Sequence, residues 1–194
     1  MAILHKIIKN EVKKKYIIVV NIGSASKKYA LYSGDEQLCF VHFELENEEY
    51  VVTGESVRGK IKEIITRVQY DNAFAYMLEL LKSSGVVADV ASIVSAGVRI
   101  VAPGTFFTEH KKIDDVYMAE LQHASSLAPL HVGPMLDELQ QIKKVLPSVT
   151  ILGISDSAFH NSMPFCARTY AIPHEDVEQY DMHRFGYHGI SVQS

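Results

Sequence analysis

Tryptophan is missing from the 194 residues, and cysteine is nearly so, with only Cys39 and Cys166 present. Two thiols far apart in the chain, each among apolar neighbours, argue against a disulfide framework and against a thiolate metal site. A reducing cytosol is the expected setting. Positive charge is not in excess: 19 Lys and Arg against 23 Asp and Glu give a net charge of -4. Nucleic-acid-binding domains are usually basic, so that class of partner is not expected. No apolar run reaches the length that a membrane span needs. The opening stretch, MAILHKIIKNEVKKK, has lysines among its apolar positions, no small-residue cleavage site and charge on the wrong side for a signal peptide. Residues 1–15 are therefore read as a short amphipathic lead-in without a catalytic role. No repeat and no low-complexity tract is evident, and no histidine pair has the i, i+4 spacing of a helical zinc site.

What is present is an ordinary globular composition, 47% hydrophobic and 22% charged, in a chain long enough to bury a sizeable core. Residues 16–53 read as a strand meander. Apolar and polar positions alternate in YALYSG and LCFVHFEL, Gly34-Asp35 marks a turn, and a short strand at Tyr50–Thr53 is expected to end at Gly54. The period then changes. Asp71 is read as an N-cap for a helix with Phe74, Met77, Leu78 and Leu81 on one face, ended by Gly85. VASIVSAGV and VTILGIS read as buried strands. Helices are expected over about 114–125 and 133–145, the second stopped by Pro147. Antiparallel strands followed by alternating helices and strands predict an α/β layer structure with a mixed sheet and flanking helices. FGYHGISVQS reads as a loop entering a helix, with Ser194 in its first turn, which leads us to expect a longer natural protein.

Reactive side chains cluster just after the expected strands, and in α/β sheets ligands bind outside the carboxyl ends of strands. Asn21 and Ser24 follow the first strand in VVNIGSASKK. They either close a hairpin turn or present amides and hydroxyls to a phosphate or a hydrated Mg2+. Arg99 sits between Val98 and Ile100, so it is either a surface residue or a guanidinium that needs an anionic partner. Asp156, in SDSAFH, is either a local helix cap or a group that orients water, metal or substrate. His131 in LAPLHVGP and His188 in FGYHGIS lie in Gly/Pro-punctuated segments read as loops. Together with Arg99 and Asp156 they suggest an anion site. His5, His42, His110, His123, His160, His174 and His183 are read as structural or surface residues.

These segments, in this order, resemble the acetate kinase family of acyl-phosphate-forming kinases, which includes kinases of propionate and butyrate. VVNIGSASKKY resembles the family's Asn-x-Gly-Ser-x-Ser-x-Lys opening, GVRIVAPG its arginine segment, and LAPLH its first histidine loop. SDSAFHNSMP resembles its aspartate motif and RFGYHGIS its second histidine loop. The likeness runs from about Tyr16 to Ser191. It implies an actin-like ATPase (ribonuclease H-like) fold and phosphoryl transfer from ATP to acetate, giving acetyl phosphate and ADP with Mg2+. By this resemblance Asn21 helps place the metal, while Ser24, Ser26 and Lys28 form the phosphate loop. Arg99 holds the carboxylate or the moving phosphoryl group, Asp156 orients acetate or its metal, and His131 and His188 stabilise the phosphoryl group. Val101, Leu130 and Tyr187 match positions around the acetate methyl.

Two departures stand out. The family usually has a histidine on each side of the arginine, where this chain has Val98 and Ala102, and the second histidine loop continues Gly189-Ile190-Ser191-Val192 instead of Gly-Thr-Ser-His. Family members are about twice this length. The resemblance thus implies an N-terminal domain, residues 16–194, lacking the adenosine-binding half and inactive alone, from a cytoplasmic protein that is commonly a homodimer. A relative acting on propionate or butyrate is the alternative, and so is a non-catalytic actin-like module for anion binding or assembly.

Overall fold

A computed structural model describes residues 14–194. The lead-in reading of residues 1–13 falls outside the described residues. Five strands open the domain as an antiparallel meander: β1 (Tyr16–Ile22), β2 (Ser26–Ser33), β3 (Glu36–Glu46), β4 (Glu49–Ser56) and β5 (Gly59–Ile65). Two helices follow, α1 (Arg67–Asp71) and α2 (Ala73–Ser83), then β6 (Ile93–Ile100), the two-residue β7 (Lys111–Lys112), α3 (Asp115–Leu127), α4 (Pro129–Val145) and β8 (Thr150–Ser155). Three short helices complete the chain: α5 (Phe165–Arg168), α6 (His174–Gln179) and α7 (Gly189–Gln193). One sheet runs in the order β5-β4-β3-β2-β1-β6-β8-β7. β1, β6 and β8 are parallel, and the other pairs are antiparallel, which is the mixed sheet expected from the pattern.

The pleat sorts side chains by parity. Ile18, Val20, Tyr29, Leu31, Val41, Phe43, Ala96, Val98 and Ile100 are all buried. This face lies under the helices: the Tyr29 ring meets Phe74 of α2 at 6.0 Å, and Tyr117 of α3 reaches over Gly153. The apolar residues between them point the other way, so Ile17 and Val19 remain 41% and 43% exposed. The run YIIVV is thus a one-sided strand.

Local chemistry explains where the elements begin and end, and it corrects several expectations. Gly54 does not end β4. It is paired to Val41 and Ile61, and a Cβ there would lie 2.1 Å from the Phe40 carbonyl oxygen, so glycine lets the two strands approach. The strand β5 that pairs with it, GKIKEII, carries Lys60, Lys62 and Glu63 and was not anticipated from the sequence. Asp71 closes α1 and caps nothing. The helix it was expected to cap, α2, follows Asn72 without a side-chain cap, whereas the preceding α1 is capped by Thr66, whose hydroxyl accepts the Gln69 amide while the Gln69 side chain accepts the Thr66 amide. Helix α4 starts at Pro129, four residues earlier than expected, because proline at the first helical position needs no hydrogen-bond acceptor and Pro134 is accommodated inside. Cys39 is buried, and that burial pushes its thiol up to about 11, whereas Cys166 is exposed and not in the apolar setting expected for it.

The adjacent lysines of the β1–β2 hairpin part company. Lys27 pairs with Ile22 and turns toward the helices, where its ammonium lies 3.2 Å from Glu138 Oε2 of α4. The Tyr29 hydroxyl donates to the other Glu138 oxygen at 2.6 Å. Burial raises the Tyr29 hydroxyl well above its ordinary range, and the Glu138 carboxylate adds to this, so it stays a neutral donor. Glu138 has no solvent exposure, and both of its oxygens are compensated. Removing one member of such a pair leaves a buried charge, whereas replacing both by apolar groups is often neutral. Glu138→Leu is expected to lower stability by about 3 kcal/mol, and Lys27→Leu combined with Glu138→Leu to recover most of that loss, as read from urea unfolding midpoints.

Candidate active site

The carboxyl ends of β1, β6 and β8 lie side by side and carry the site residues. Asn21 shares the open sheet face with Ile17 and Val19, and Lys28 is its direct cross-strand partner on β2. Parity therefore assigns Lys28, and not Lys27, to the side of Asn21. The turn between them is closed by the Gly23 amide, which donates to the Ser26 carbonyl at 2.8 Å, and Ser24 is left exposed at its tip. VVNIGSASKK is a hairpin with its polar residues at the strand end.

Arg99 is the last residue but one of β6 and is not beyond the strand. Val98 and Ile100 point into the core, so the pleat sends Arg99 to the opposite face. Its Nη1 donates to Asn21 Oδ1 at 3.3 Å and its Nη2 to Asp156 Oδ2 at 2.6 Å. Asp156 follows β8 directly, and its amide continues the ladder by donating to the Ile100 carbonyl at 2.9 Å. The carboxylate is wholly buried, whereas the Arg99 side chain keeps 26% of its exposure.

The second histidine segment is folded onto the same aspartate. The His188 amide donates to Asp156 Oδ2 at 2.8 Å, the Ile190 amide reaches Oδ1 at 3.4 Å, and the Gly189 amide donates to the Asp156 carbonyl at 3.0 Å. His188 itself adopts φ of 62° as it enters α7. Gly189 is required by contact: a Cβ there would fall 2.4 Å from the Asp156 carbonyl oxygen and 2.6 Å from Phe159 Cβ. Asp156 therefore caps a helix start, but one that lies far along the chain and not its own. Burial by itself would raise the Asp156 carboxyl. The Arg99 guanidinium and the His188 and Ile190 amides outweigh burial and hold the carboxyl below its ordinary range.

Residues that the sequence did not single out support this arrangement. The Ser155 amide donates to His110 Nδ1 at 3.0 Å, the Ser155 hydroxyl donates to the Phe107 carbonyl, and the Ser157 amide donates to the Ser155 hydroxyl oxygen at 3.1 Å. The His160 ring lies against Gly186, where a Cβ would fall 2.6 Å away, and its Nε2 is 3.2 Å from the Tyr187 carbonyl oxygen. The only sequence signal for these contacts is the pair of motifs themselves. His110 and His160, read as structural or surface residues, are structural braces whose partners are distant in the chain.

His131 and Leu130 lie in the first turn of α4 and not in a loop. Both are exposed, Leu130 at 78%. Val101 is half-buried, and Tyr187 is 39% exposed, its hydroxyl raised by burial and the neighbouring Tyr170. Asn21, Arg99, Asp156 and the His188 amide form one bonded cluster, while His131, Leu130, Val101, Ser24, Ser26 and Lys28 take no part in that network. Val98 and Ala102, where the resembling family carries histidines, are buried beneath the helix-covered face. Arg99 takes its bracing from Asn21 and Asp156 instead.

In α/β domains ligands bind outside the carboxyl ends of the parallel strands, which is where this polar cluster lies. The chain belongs to the acetokinase family, whose sequence profile matches residues 16–193. It is 35% identical over 191 residues to an acetate kinase of Thermosipho melanesiensis, covering 90% of this chain and 44% of that protein. It is 34% identical over 188 residues to an acetate kinase of Mycoplasmoides gallisepticum, covering 91% and 46%. Among solved structures, a propionate kinase from Francisella tularensis aligns with a TM-score of 0.81 at 25% identity, covering 92% of this chain and 46% of that one. Porphyromonas gingivalis acetate kinase aligns at 0.80 and 27% identity with the same coverage. The chain thus spans about 45% of the length of the curated relatives it matches. These likenesses accord with the expected actin-like ATPase fold.

Two outcomes follow from the buried carboxylate. Because the folded Asp156 ionises more readily than an unfolded carboxyl, its stabilisation is complete above the unfolded value and is lost as pH falls through the lowered folded value. Asp156→Asn is expected to remove that part of the acid-induced loss of stability, seen in urea midpoints measured from neutral pH down through the carboxylate range. Gly189→Ala is expected to destabilise by about 1–3 kcal/mol and to shift the His188 and Ile190 amide resonances.

Proposed function

We propose that this chain is the carboxylate-side half of an ATP-dependent kinase that phosphorylates a short-chain carboxylate, with acetate as the reference acceptor. The observation that carries the reading is the guanidinium of Arg99, held at the strand ends by a fully buried Asp156 and by Asn21. A guanidinium has five N–H donors, and two of its nitrogens are engaged by these residues. The remaining donors, on a partly exposed group, suit a carboxylate or phosphoryl oxygen.

In the proposed reaction a carboxylate oxygen attacks the γ-phosphorus of ATP in line. The phosphorus–oxygen bond to ADP breaks, and acyl phosphate and ADP form with no net proton released. Such transfer depends on positioning and charge stabilisation more than on a covalent nucleophile. Arg99 orients the acceptor and offsets developing charge, with His131 and His188 flanking the phosphoryl group. Asp156 acts through Arg99 and the His188 segment. It is a positioning residue, since a carboxylate with no exposure and with both oxygens engaged does not reach substrate or metal. Val101, Leu130 and Tyr187 surround the acyl group. Ser24, Ser26 and Lys28 face the phosphates.

Mg2+ suits the neutral oxygen donors of this chain only as an ion that arrives with the nucleotide and keeps its waters. Asn21 Oδ1, which also accepts from Arg99 at 3.3 Å, and the hairpin hydroxyls would hold it. Bound there, Mg2+ would neutralise charge on the phosphate oxygens. Residues 16–194 form the acceptor-side domain in this reading. The adenosine-side half, a homodimeric assembly and a cytoplasmic location belong to the whole protein. No helix among the described residues is long and apolar enough to cross a membrane.

Hydroxylamine trapping of acyl phosphate from ATP and acetate is expected to give no product with these 194 residues alone. Acetate is expected to shift the amide resonances around Arg99 and Tyr187, with the response lost in Arg99→Ala and weakened in Arg99→Lys. Turnover by the isolated chain would overturn the half-site reading, and an undiminished response in Arg99→Ala would overturn the carboxylate role.

A further inference from the structure

The loop that leaves β6, the end of α3 and the segment before His188 enclose a groove of about 600 Å³. Cavities of about 300–1,000 Å³ take ligands of drug-like size, far larger than a methyl group. Pro103 and Phe107 form one side, Ala124 and Leu127 of α3 a second, and Asp181 and Phe185 the third. Each side is chain-adjacent to one of the three residues placed around the acyl group. Pro103 is two residues beyond Val101, Leu127 three before Leu130, and Phe185 two before Tyr187. Two residues span at most about 7 Å and three about 11 Å. Each of the three sides of the groove thus lies within a few residues, at most about 7–11 Å of chain, of a residue placed around the acyl group.

The groove is held open by its own contacts. The Thr105 amide donates to Asp181 Oδ2 at 2.6 Å, which staples the floor to the far wall. Phe106, Phe107 and Tyr117 meet edge to face with centroids 5.1, 5.3 and 5.4 Å apart, which fixes the aromatic wall. Leu127 is 69% exposed at the rim and Tyr180 63%, so apolar surface faces the opening. Charge at the rim is negative, from Glu120 and Asp181, with His123 beside them.

From this we infer that the groove continues the acyl site and receives the apolar tail of an acid longer than acetate. The acceptor class is then a medium-chain or aryl-substituted monocarboxylic acid. Its carboxylate lies at Arg99 and its tail runs between Phe107 and Leu127. A second carboxylate at the tail end meets Glu120 and Asp181, so dicarboxylic acids are rejected. The inference rests on the carboxylate-side reading proposed above.

The test is titration of the 194-residue chain with acetate, hexanoate and adipate, followed by amide NMR. Hexanoate is expected to bind at least about tenfold tighter than acetate, since each methylene buried in an apolar pocket adds discrimination. It should shift Gly104, Ala124, Leu127 and Phe185 together with Arg99, while adipate binds more weakly than hexanoate. Leu127→Glu alters an exposed rim residue. It is expected to return hexanoate to the affinity of acetate and to leave the acetate response unchanged. Equal binding of hexanoate and acetate, or hexanoate binding unaffected by Leu127→Glu, overturns the inference while the carboxylate reading stands. Groove shifts that persist undiminished in Arg99→Ala overturn the continuity between groove and acyl site. The absence of a response to any of the acids overturns this inference and the carboxylate reading together.

Discussion

A carboxylate removed from water must find hydrogen-bond donors for both oxygens or lose its charge. Asp156 finds three of them in two segments distant from it in the chain: the Arg99 guanidinium on β6 and the amides of His188 and Ile190 at the start of α7. The rest of the site depends on this one requirement. Arg99 is oriented because its partner is immobile, and Asn21 on β1 completes the orientation from the other side. The His188 segment is placed because its amides are the donors the carboxylate lacks. An ion pair of this kind is weak evidence for stability, since desolvation opposes the Coulomb gain. Its value here is geometric: one buried charge fixes the relative positions of three segments.

The two faces of the sheet divide the polar residues by purpose. Toward the helices, Lys27, Tyr29 and Glu138 form a closed group that joins the β1–β2 hairpin to α4. That helix carries Leu130 and His131 in its first turn, so the same contact sets the hairpin and the helix start relative to each other. Toward the open face, Asn21, Lys28 and Arg99 stand at the strand ends with their polar groups available. Adjacent lysines thus serve different ends because neighbouring residues on a strand point in opposite directions.

The losses of histidine beside Arg99 make sense against this arrangement. Val98 and Ala102 are packed in the core, where an apolar side chain is accommodated without a polar partner. The guanidinium does not rely on them. The loop that follows, from Pro103 to Phe107, instead builds the wall of a groove alongside the acyl site. The departure from the family pattern and the wall of the groove are thus neighbours along the chain.

Much of the architecture was legible in the sequence because it follows from local periodicity. Period-two alternation marked β2 and β3, apolar runs marked β1 and β4, helical spacing marked α2, α3 and most of α4, and the strand-end positions of Asn21, Arg99 and Asp156 were visible as breaks after apolar runs. The resemblance in five ordered motifs identified the family from residues alone. Other features were beyond local reading. The β5 strand has charge where a signal would be apolar, and α4 extends back to Pro129 because proline suits the first helical position. Asp71, a good cap by composition, became the last residue of an extra short helix, α1, whose own cap is Thr66 with Gln69 in the reciprocal position. That His110 and His160 brace the site, that Asp156 is sealed from solvent, and that Lys28 rather than Lys27 shares the face of Asn21 are facts of pairing and contact. Sequence determined which residues are able to do the chemistry. Tertiary structure alone decided which of them touch, because burial and hydrogen bonding are settled between segments that the chain keeps far apart.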